Sequence, residues 1–234
     1  MGIAVCIAIT ITNSIAKKVY GYNNIIFDIS PILLLSGIVG ARLYYCILNL
    51  PDYINNPITI LAIRNGGLSI HGALLAGIIT LYFLSKKYNL KFLEFCDLFA
   101  YGMPLGQAIA RWGNFFNSEA FGYPTNLPIG LYIPSTHRPP EYISFDYFHP
   151  TFLYASILDL FIFFIMLNLI NRHKELPSGF MACLYLILYS FARIIVEYFR
   201  IDANIHFMNI ALPIWISTLV ILISIFVMIK LVKK

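Results

Sequence analysis

Long apolar runs alternate with short polar segments along this chain. Several runs reach the roughly 20 residues that an α-helix needs to cross about 30 Å of hydrocarbon. They lie near residues 25–50, 67–85, 92–112, 150–171, 179–200 and 207–229. A shorter run, 1–16, ends at Lys17 and Lys18 without a small-residue cleavage site, which favours a shortened first span over a signal peptide. The pattern predicts an all-α fold, a polytopic membrane helical bundle of about seven transmembrane spans.

The longest polar segment, 113–149, separates the fourth and fifth predicted spans. It is rich in Pro, Gly, Tyr and Asn, carries no run of charge, and is too long for a simple connection between helices. We predict that it forms a small external cap between spans four and five. The cap belongs to a single integral-membrane domain that comprises residues 1–234.

The composition excludes an ordinary soluble domain. The chain is 59% hydrophobic and 12% charged, whereas soluble domains carry roughly 25% charged residues. The net charge of +5 does not indicate a nucleic-acid partner, because the cationic clusters are short and separated by spans. The cysteines and histidines are scattered without metal-ligand spacing, so no metal or other cofactor is predicted. The expected surroundings are a lipid bilayer.

Lysine positions predict the orientation of the spans. The lysines lie between apolar runs, at every second boundary: Lys17, Lys18, Lys86, Lys87, Lys91, Lys174, Lys230, Lys233 and Lys234. Positively charged loops stay on the cytoplasmic side. The cytoplasmic segments are therefore expected to be 17–24, 86–91, 172–178 and 230–234, and the external ones 51–66, 113–149 and 201–206. This arrangement places the N-terminus outside and the C-terminus in the cytoplasm.

Arginines occur within the apolar runs, where an ionisable group is a candidate functional residue. In the run 179–200, four polar residues follow at spacings of four, four and three: Tyr189, Arg193, Glu197 and Arg200. At about 100° per residue they share one helix face roughly 80° wide. The planar guanidinium group is suited to binding phosphate. The alternative is an intrahelical ion pair between Arg193 and Glu197 that stabilises a helix end.

A second polar group lies in the segment ARWGNFFNSEAFG, residues 110–122. It contains Arg111, Asn114, Asn117 and Glu119, together with Gly113 and Gly122, which would permit tight turns. Such a density of polar residues at a membrane boundary suggests a binding site. The alternative is a helix C-terminus capped by Gly and Asn.

His71 follows two glycines in NGGLSIHGALLAG. It is either a candidate general base or a hydrogen-bonded core histidine. Arg42 and Asp159 lie within other apolar runs at depths that could match. Burying either charge alone would be costly, so we predict a structural ion pair between them.

These motifs resemble the prolipoprotein diacylglyceryl transferase family. The resemblance runs through GARL at 40–43, GGLSIHG at 66–72, GQAIARWGNFFNSEAFG at 106–122, GYPTNLPIG at 122–130, HPTFLY at 149–154 and YSFARIIVEYFR at 189–200. It implies a bacterial inner-membrane enzyme that transfers the diacylglyceryl group of phosphatidylglycerol to the lipobox cysteine thiol in the signal peptide of a prolipoprotein, releasing glycerol-1-phosphate. The implied catalytic residues are His71, Arg111, Tyr189 and Arg193. The implied substrate-binding residues are Asn114, Asn117, Glu119, Gly122, Glu197 and Arg200.

The chain departs from the family pattern at several positions. Phe152 and Ala155 occupy positions where the family usually has Gln and Glu, and Ala73 replaces a second Gly after His71. The family's first span usually opens with a Tyr-Gly segment that contributes an active-site tyrosine, and that position would lie upstream of Met1. A catalytically inactive paralogue that binds phospholipid or precursor is therefore an alternative. A small transporter is another.

The lysine pattern makes a topological prediction. Single cysteines introduced at 113–149 should react with a membrane-impermeant reagent applied from outside, and cysteines at 86–91 should react only after the membrane is opened. Labelling of 86–91 in intact cells would contradict the orientation.

Overall fold

The computed structural model describes residues 2–54, 56–201 and 206–233. Helices account for most of these residues: α1 (Gly2–Tyr20), α2 (Ile25–Leu48), α3 (Leu50–Ile54), α4 (Ile70–Lys87), α5 (Phe92–Phe116), α6 (Thr151–Asn168), α7 (Phe180–Glu197) and α8 (Leu212–Val232). Short 3₁₀ helices lie at Pro57–Leu61, Ile63–Asn65, Ser135–His137, Pro140–Tyr142 and Ile170–Glu175. Two-residue strands pair antiparallel, β1 (Leu131–Tyr132) with β2 (Tyr147–Phe148) and β3 (His206–Phe207) with β4 (Ile210–Ala211).

Each predicted span corresponds to a long helix, with shifted ends. The first helix is not shortened, because α1 continues through Lys17 and Lys18 to Tyr20. The fourth helix begins three residues later than expected, at Ile70. Gly66 and Gly67 have φ angles of 83° and 77°, which an α-helix does not accommodate.

Not every long helix is equally apolar. In the part of the chain that the structure describes, five helices are long and apolar enough to cross a membrane: α1, α2, α6 with its 3₁₀ extension, α7 and α8. The helices α4 and α5 are outside this group. They contain polar and charged residues such as Lys86, Lys87 and Asp97. The structure is that of an all-α membrane protein, and the number of seven spans stays a prediction.

The chain divides into two compact units, Ala16–Phe95 and the combination of Met1–Ile15 with Cys96–Lys234. In the first unit, α2 packs closely against α4 because glycines face each other. A side-chain carbon at Gly72 would collide with the Gly40 carbonyl, and one at Gly40 would collide with Ala76 and with Gly72. That residues 1–234 form a single domain stays a prediction.

In the second unit, residues 117–150 connect α5 to α6 and have a hydrophobic core of their own. Phe121, Ile133 and Phe148 are buried together. Leu131 pairs with Phe148, and Tyr132 pairs with Tyr147. This connecting segment covers most of the residues of the predicted cap but begins later than expected, because α5 extends through Gly113 to Phe116. Its external position stays a prediction. Of the other predicted loops, positions 202–205 of 201–206 and position 234 of the tail lie outside the described residues.

Candidate active site

The last turns of α7 carry the polar stripe expected from the sequence. Arg193 Nη2 lies 2.9 Å from Glu197 Oε2, and the side chains are 21% and 2% exposed. The intrahelical ion pair is therefore present. Arg193 and Tyr189 also line a narrow cavity between α5, α6 and α7. The ion pair therefore positions Arg193 at the cavity wall in addition to stabilising the end of the helix.

Arg111 reaches the same cavity from α5. Its Nε lies 3.5 Å from Oδ2 of Asp159, a residue of α6 whose side chain is 3% exposed. Both residues line the cavity with Tyr189 and Arg193. A buried carboxylate needs a partner to offset its desolvation. Asp159 therefore orients Arg111 through Nε, and the two Nη groups take no part in that contact.

An adjoining narrow cavity is lined by Arg111, Asn114 and Arg200. Ala155 and Val196 also line both cavities. Arg111 pairs with Asp159, Arg193 pairs with Glu197, and Arg200 lines the adjoining cavity. Three positive and two negative charges leave a formal excess of +1. We call this group of side chains the arginine cluster, and its charge and donors suit a phosphate group.

Tyr189 is held in place by its neighbour one turn earlier. The rings of Tyr185 and Tyr189 stack with centroids 5.8 Å apart. The Tyr185 hydroxyl donates to Gln107 Oε1 on α5 at 2.8 Å. The phenol of Tyr189 is thereby fixed at the wall of the first cavity.

Asn117 and Glu119 lie away from the arginine cluster. Asn117 Nδ2 donates to Glu119 Oε1 at 3.1 Å, and both side chains are exposed. They line a wider groove on the connecting segment, together with His137 and Glu141. The predicted substrate-binding residues are thus divided between two places.

Gly122 acts through its backbone. Its N–H donates to the His149 carbonyl at 2.9 Å, and it forms a β-bridge with Arg200. A side-chain carbon here would collide with the Phe199 carbonyl and come within 2.9 Å of Thr151. Gly122 therefore allows the connecting segment to pack against the end of α7, beside Arg200. We call this contact the seat.

His71 belongs to the other unit, Ala16–Phe95. It lies in the first turn of α4, and its side chain is exposed. Its ring lies 6.2 Å from that of Tyr44, centroid to centroid. The exposure contradicts the alternative of a core histidine. It leaves the imidazole accessible to a partner.

The predicted ion pair between Arg42 and Asp159 is wrong. Asp159 pairs with Arg111 instead. Arg42 instead donates to backbone carbonyls of the segment 59–67, at distances from 2.6 to 3.4 Å: Thr59, Ile60, Ala62, Gly66 and Gly67. These bonds engage all five N–H groups of the guanidinium. Carbonyl dipoles satisfy this buried cation, so no carboxylate is required.

Two residues of α5 accept hydrogen bonds from α7 that were not predicted from the sequence. Gln107 accepts from Tyr185, and Asp97, which is 0% exposed, accepts from backbone N–H groups at the start of α7. Asp97 had a recognisable signal, because it is an ionisable residue inside an apolar run. Gln107 had none, since a single amide in a helix has no distinctive pattern.

The helices and the arginine cluster define an integral-membrane protein with a cationic cavity between its helices. A family model for prolipoprotein diacylglyceryl transferase matches residues 1–230. The chain belongs to the prolipoprotein diacylglyceryl transferase family.

Curated relatives agree with the family match. The phosphatidylglycerol–prolipoprotein diacylglyceryl transferase of Parasynechococcus marenigrum is 44% identical over 206 residues, which cover 86% of this chain and 74% of the relative. The Nostoc sp. protein of the same name is 42% identical over 204 residues, 86% of this chain and 72% of the relative. That of Thermotoga petrophila is 48% identical over 171 residues, 72% of this chain and 58% of the relative.

The seat at Gly122 leads to a stability prediction. Gly122→Ala should lower the free energy of unfolding by about 1–3 kcal/mol, the usual cost of inserting a carbon into a packed site. Gly113→Ala is the matched control, because a side-chain carbon at Gly113 meets nothing within 4 Å. Thermal unfolding of both variants in detergent measures the difference. Equal melting temperatures would contradict the seat.

Proposed function

We propose that this protein transfers the diacylglyceryl group of phosphatidylglycerol to the thiol of a lipobox cysteine in a prolipoprotein, releasing glycerol-1-phosphate. The observation that carries this proposal is the arginine cluster, in which Arg111, Arg193 and Arg200 surround two adjoining cavities. Family membership agrees with it.

The transfer reaction requires stabilisation of the phosphate leaving group. The thiolate sulfur attacks the glyceryl carbon, a carbon–sulfur bond forms, and the bond from that carbon to the phosphate oxygen breaks. The leaving phosphate gains a negative charge in this step. Donors arranged in advance around developing charge accelerate such reactions. Arg111 and Arg193 supply that stabilisation, while Asn114 and Arg200 bind the phosphate from the adjoining cavity.

The carboxylates of the cluster orient the arginines. Glu197 holds Arg193 and Asp159 holds Arg111. Tyr189 adds a hydroxyl at the first cavity wall that can donate to the phosphate or to the leaving oxygen. Gly122 supports Arg200 through the seat on α7.

His71 is proposed as the base that removes the proton from the incoming thiol. The thiolate is the nucleophile, and a free cysteine is mostly protonated at neutral pH. The support for this role is the resemblance of GGLSIHG to the family motif and the exposure of the imidazole.

The protein is a multi-pass membrane protein, and we place it in the bacterial inner membrane with its N-terminus outside. The lysine clusters support this orientation. The connecting segment would then be the external cap, and Asn117 and Glu119 would contact the precursor outside the membrane.

A second candidate function has one observation in its favour. Phe152 and Ala155 line the cavity beside Arg111, at positions where the resemblance leads us to expect Gln and Glu. A protein that binds phosphatidylglycerol or precursor without turnover would tolerate that loss of polar groups.

One assay separates these functions. Purified protein is incubated with phosphatidylglycerol and a lipobox peptide, and the thioether product is measured by mass spectrometry. Product formation supports the transferase. Binding of either substrate without product would favour the inactive paralogue, and the absence of both would contradict the proposal.

Arg193→Ala should lower turnover by on the order of 100-fold, as loss of one such donor typically does. The change also leaves Glu197, buried at 2% exposure, without its arginine. The double variant with Glu197→Gln removes that unpaired charge and separates folding from chemistry. Arg172→Ala, in the 3₁₀ segment after α6, is the control for loss of an arginine. Near-normal transfer by the double variant would show that Arg193 does not stabilise the phosphate.

His71→Gln should lower turnover most at low pH. Glutamine retains hydrogen bonding in a similar volume but does not accept the proton. The defect should shrink as the pH approaches about 8.5, where a cysteine thiol ionises without help. A pH-rate series from about 6.5 to 9 measures this. Parallel profiles for wild type and variant would assign the proton transfer to another group.

A further inference from the structure

Asp97 caps a helix other than its own. It lies in the second turn of α5 and is 0% exposed. Its Oδ2 accepts from the Gly179 N–H at 2.6 Å, and its Oδ1 accepts from the Ala182 N–H at 2.8 Å. The first N–H groups of an α-helix have no acceptor within the helix. Asp97 satisfies two donors at the start of α7, where its negative charge also complements the helix dipole.

The N-cap position of α7 carries no side-chain cap. Its N-cap residue is Gly179, which has a φ angle of 96° and no side-chain cap. Serine, threonine, asparagine or aspartate usually provides this bond from the same chain segment. The φ angle of Gly179 lies in the region that favours glycine. The start of α7 is therefore held by the carboxylate from α5 together with its own preceding turn, in which the Phe180 N–H donates to the Pro177 carbonyl.

The spacing along the two helices connects this cap to the arginine cluster. Asp97 and Gly179 are 82 residues apart in sequence. Arg111 and Arg193 are separated by the same number, since 193 − 111 = 82. Both arginines therefore follow the capping contact at equal distances, and at about 1.5 Å per residue each lies about 21 Å along its helix. Both then line the same cavity.

A second buried contact joins the same helices between the cap and the arginines. Tyr185, which is 5% exposed, donates to Gln107 at 2.8 Å. One contact near the start of α7 fixes its position along the axis. A second contact, further along, fixes its rotation about that axis. The two together define the register between α5 and α7.

We propose that Asp97 is a positioning residue for the transfer reaction: by capping α7 from α5, it sets the register that brings Arg111 and Arg193 to the same level. The proposal rests on the proposed function. It assigns Asp97 no contact with substrate. A displacement of one helical turn, 5.4 Å, would remove Arg193 from the cavity that it shares with Arg111.

The test compares Asp97→Asn with Leu98→Ala. Asparagine keeps one acceptor oxygen but loses the second acceptor and the charge. Leu98 is the neighbouring residue and is also 0% exposed, so its truncation removes buried packing without removing the cap. Each variant is assayed with phosphatidylglycerol and a lipobox peptide, and its melting temperature is measured in the same detergent.

Asp97→Asn should lower kcat by on the order of 10- to 100-fold, because misplacement of a catalytic group by about 1 Å has effects of that size. The KM for phosphatidylglycerol should change less than kcat. Leu98→Ala should lower the melting temperature at least as much while retaining kcat for the folded protein. Equal loss of kcat in both variants, or a kcat within twofold of wild type for Asp97→Asn, would overturn the proposal.

Two further measurements cover the remaining outcomes. If Asp97→Asn does not fold, Tyr185→Phe removes the second contact with little change in volume; a lower kcat at an unchanged melting temperature supports the register, and an unchanged kcat overturns it. If the wild type shows no transfer, the proposed function fails separately. Binding of phosphatidylglycerol, measured by native mass spectrometry, then replaces kcat. Selective weakening in Asp97→Asn supports the register, and equal binding by both variants overturns it.

Discussion

The desolvation of charge inside apolar helices is the constraint on which this structure depends. An ion removed from water is destabilising by several kcal/mol unless oppositely charged or dipolar groups surround it. The buried charges of the described residues have such partners. Arg111 is paired with Asp159, and Arg193 is paired with Glu197. The pair Arg193–Glu197 forms within α7, but α5 and α6 must pack so that Arg111 meets Asp159, and that packing brings Arg111 to the cavity lined by Arg193.

The long helices and the polar face of α7 could be predicted from the sequence, because apolar length and helical period depend only on residues close in the chain. The same is true of the polar end of α5. Arg111 and Arg193, which the family resemblance implies as catalytic residues, line one cavity. The partner of Asp159 was not predictable in this way, since periodicity gives the face of a helix but not the identity of its neighbour.

Backbone groups explain the other differences. Arg42 is satisfied by carbonyls and Asp97 by N–H groups, and neither kind of partner leaves a mark in a sequence, because every residue has them apart from the N–H that proline lacks. The helix α4 begins later in the chain than predicted for a related reason. Gly66 and Gly67 adopt positive φ angles, and the apolar pattern around them gives no sign of this conformation. Predictions from side-chain chemistry alone are therefore weakest where the backbone supplies the bonds.

The hydrogen bonds from Arg42 to the segment 59–67 also affect how this part of the protein can evolve. The guanidinium binds carbonyl oxygens, which are common to all amino acids, so substitutions in the segment leave these acceptors in place. Sequence variation is constrained at Gly66 and Gly67, whose φ angles of 83° and 77° favour glycine, and at Gly67 a side-chain carbon would also collide with Arg42 and Tyr45. The other positions of the segment can therefore vary while its shape is retained, provided that the arginine and these two glycines are kept.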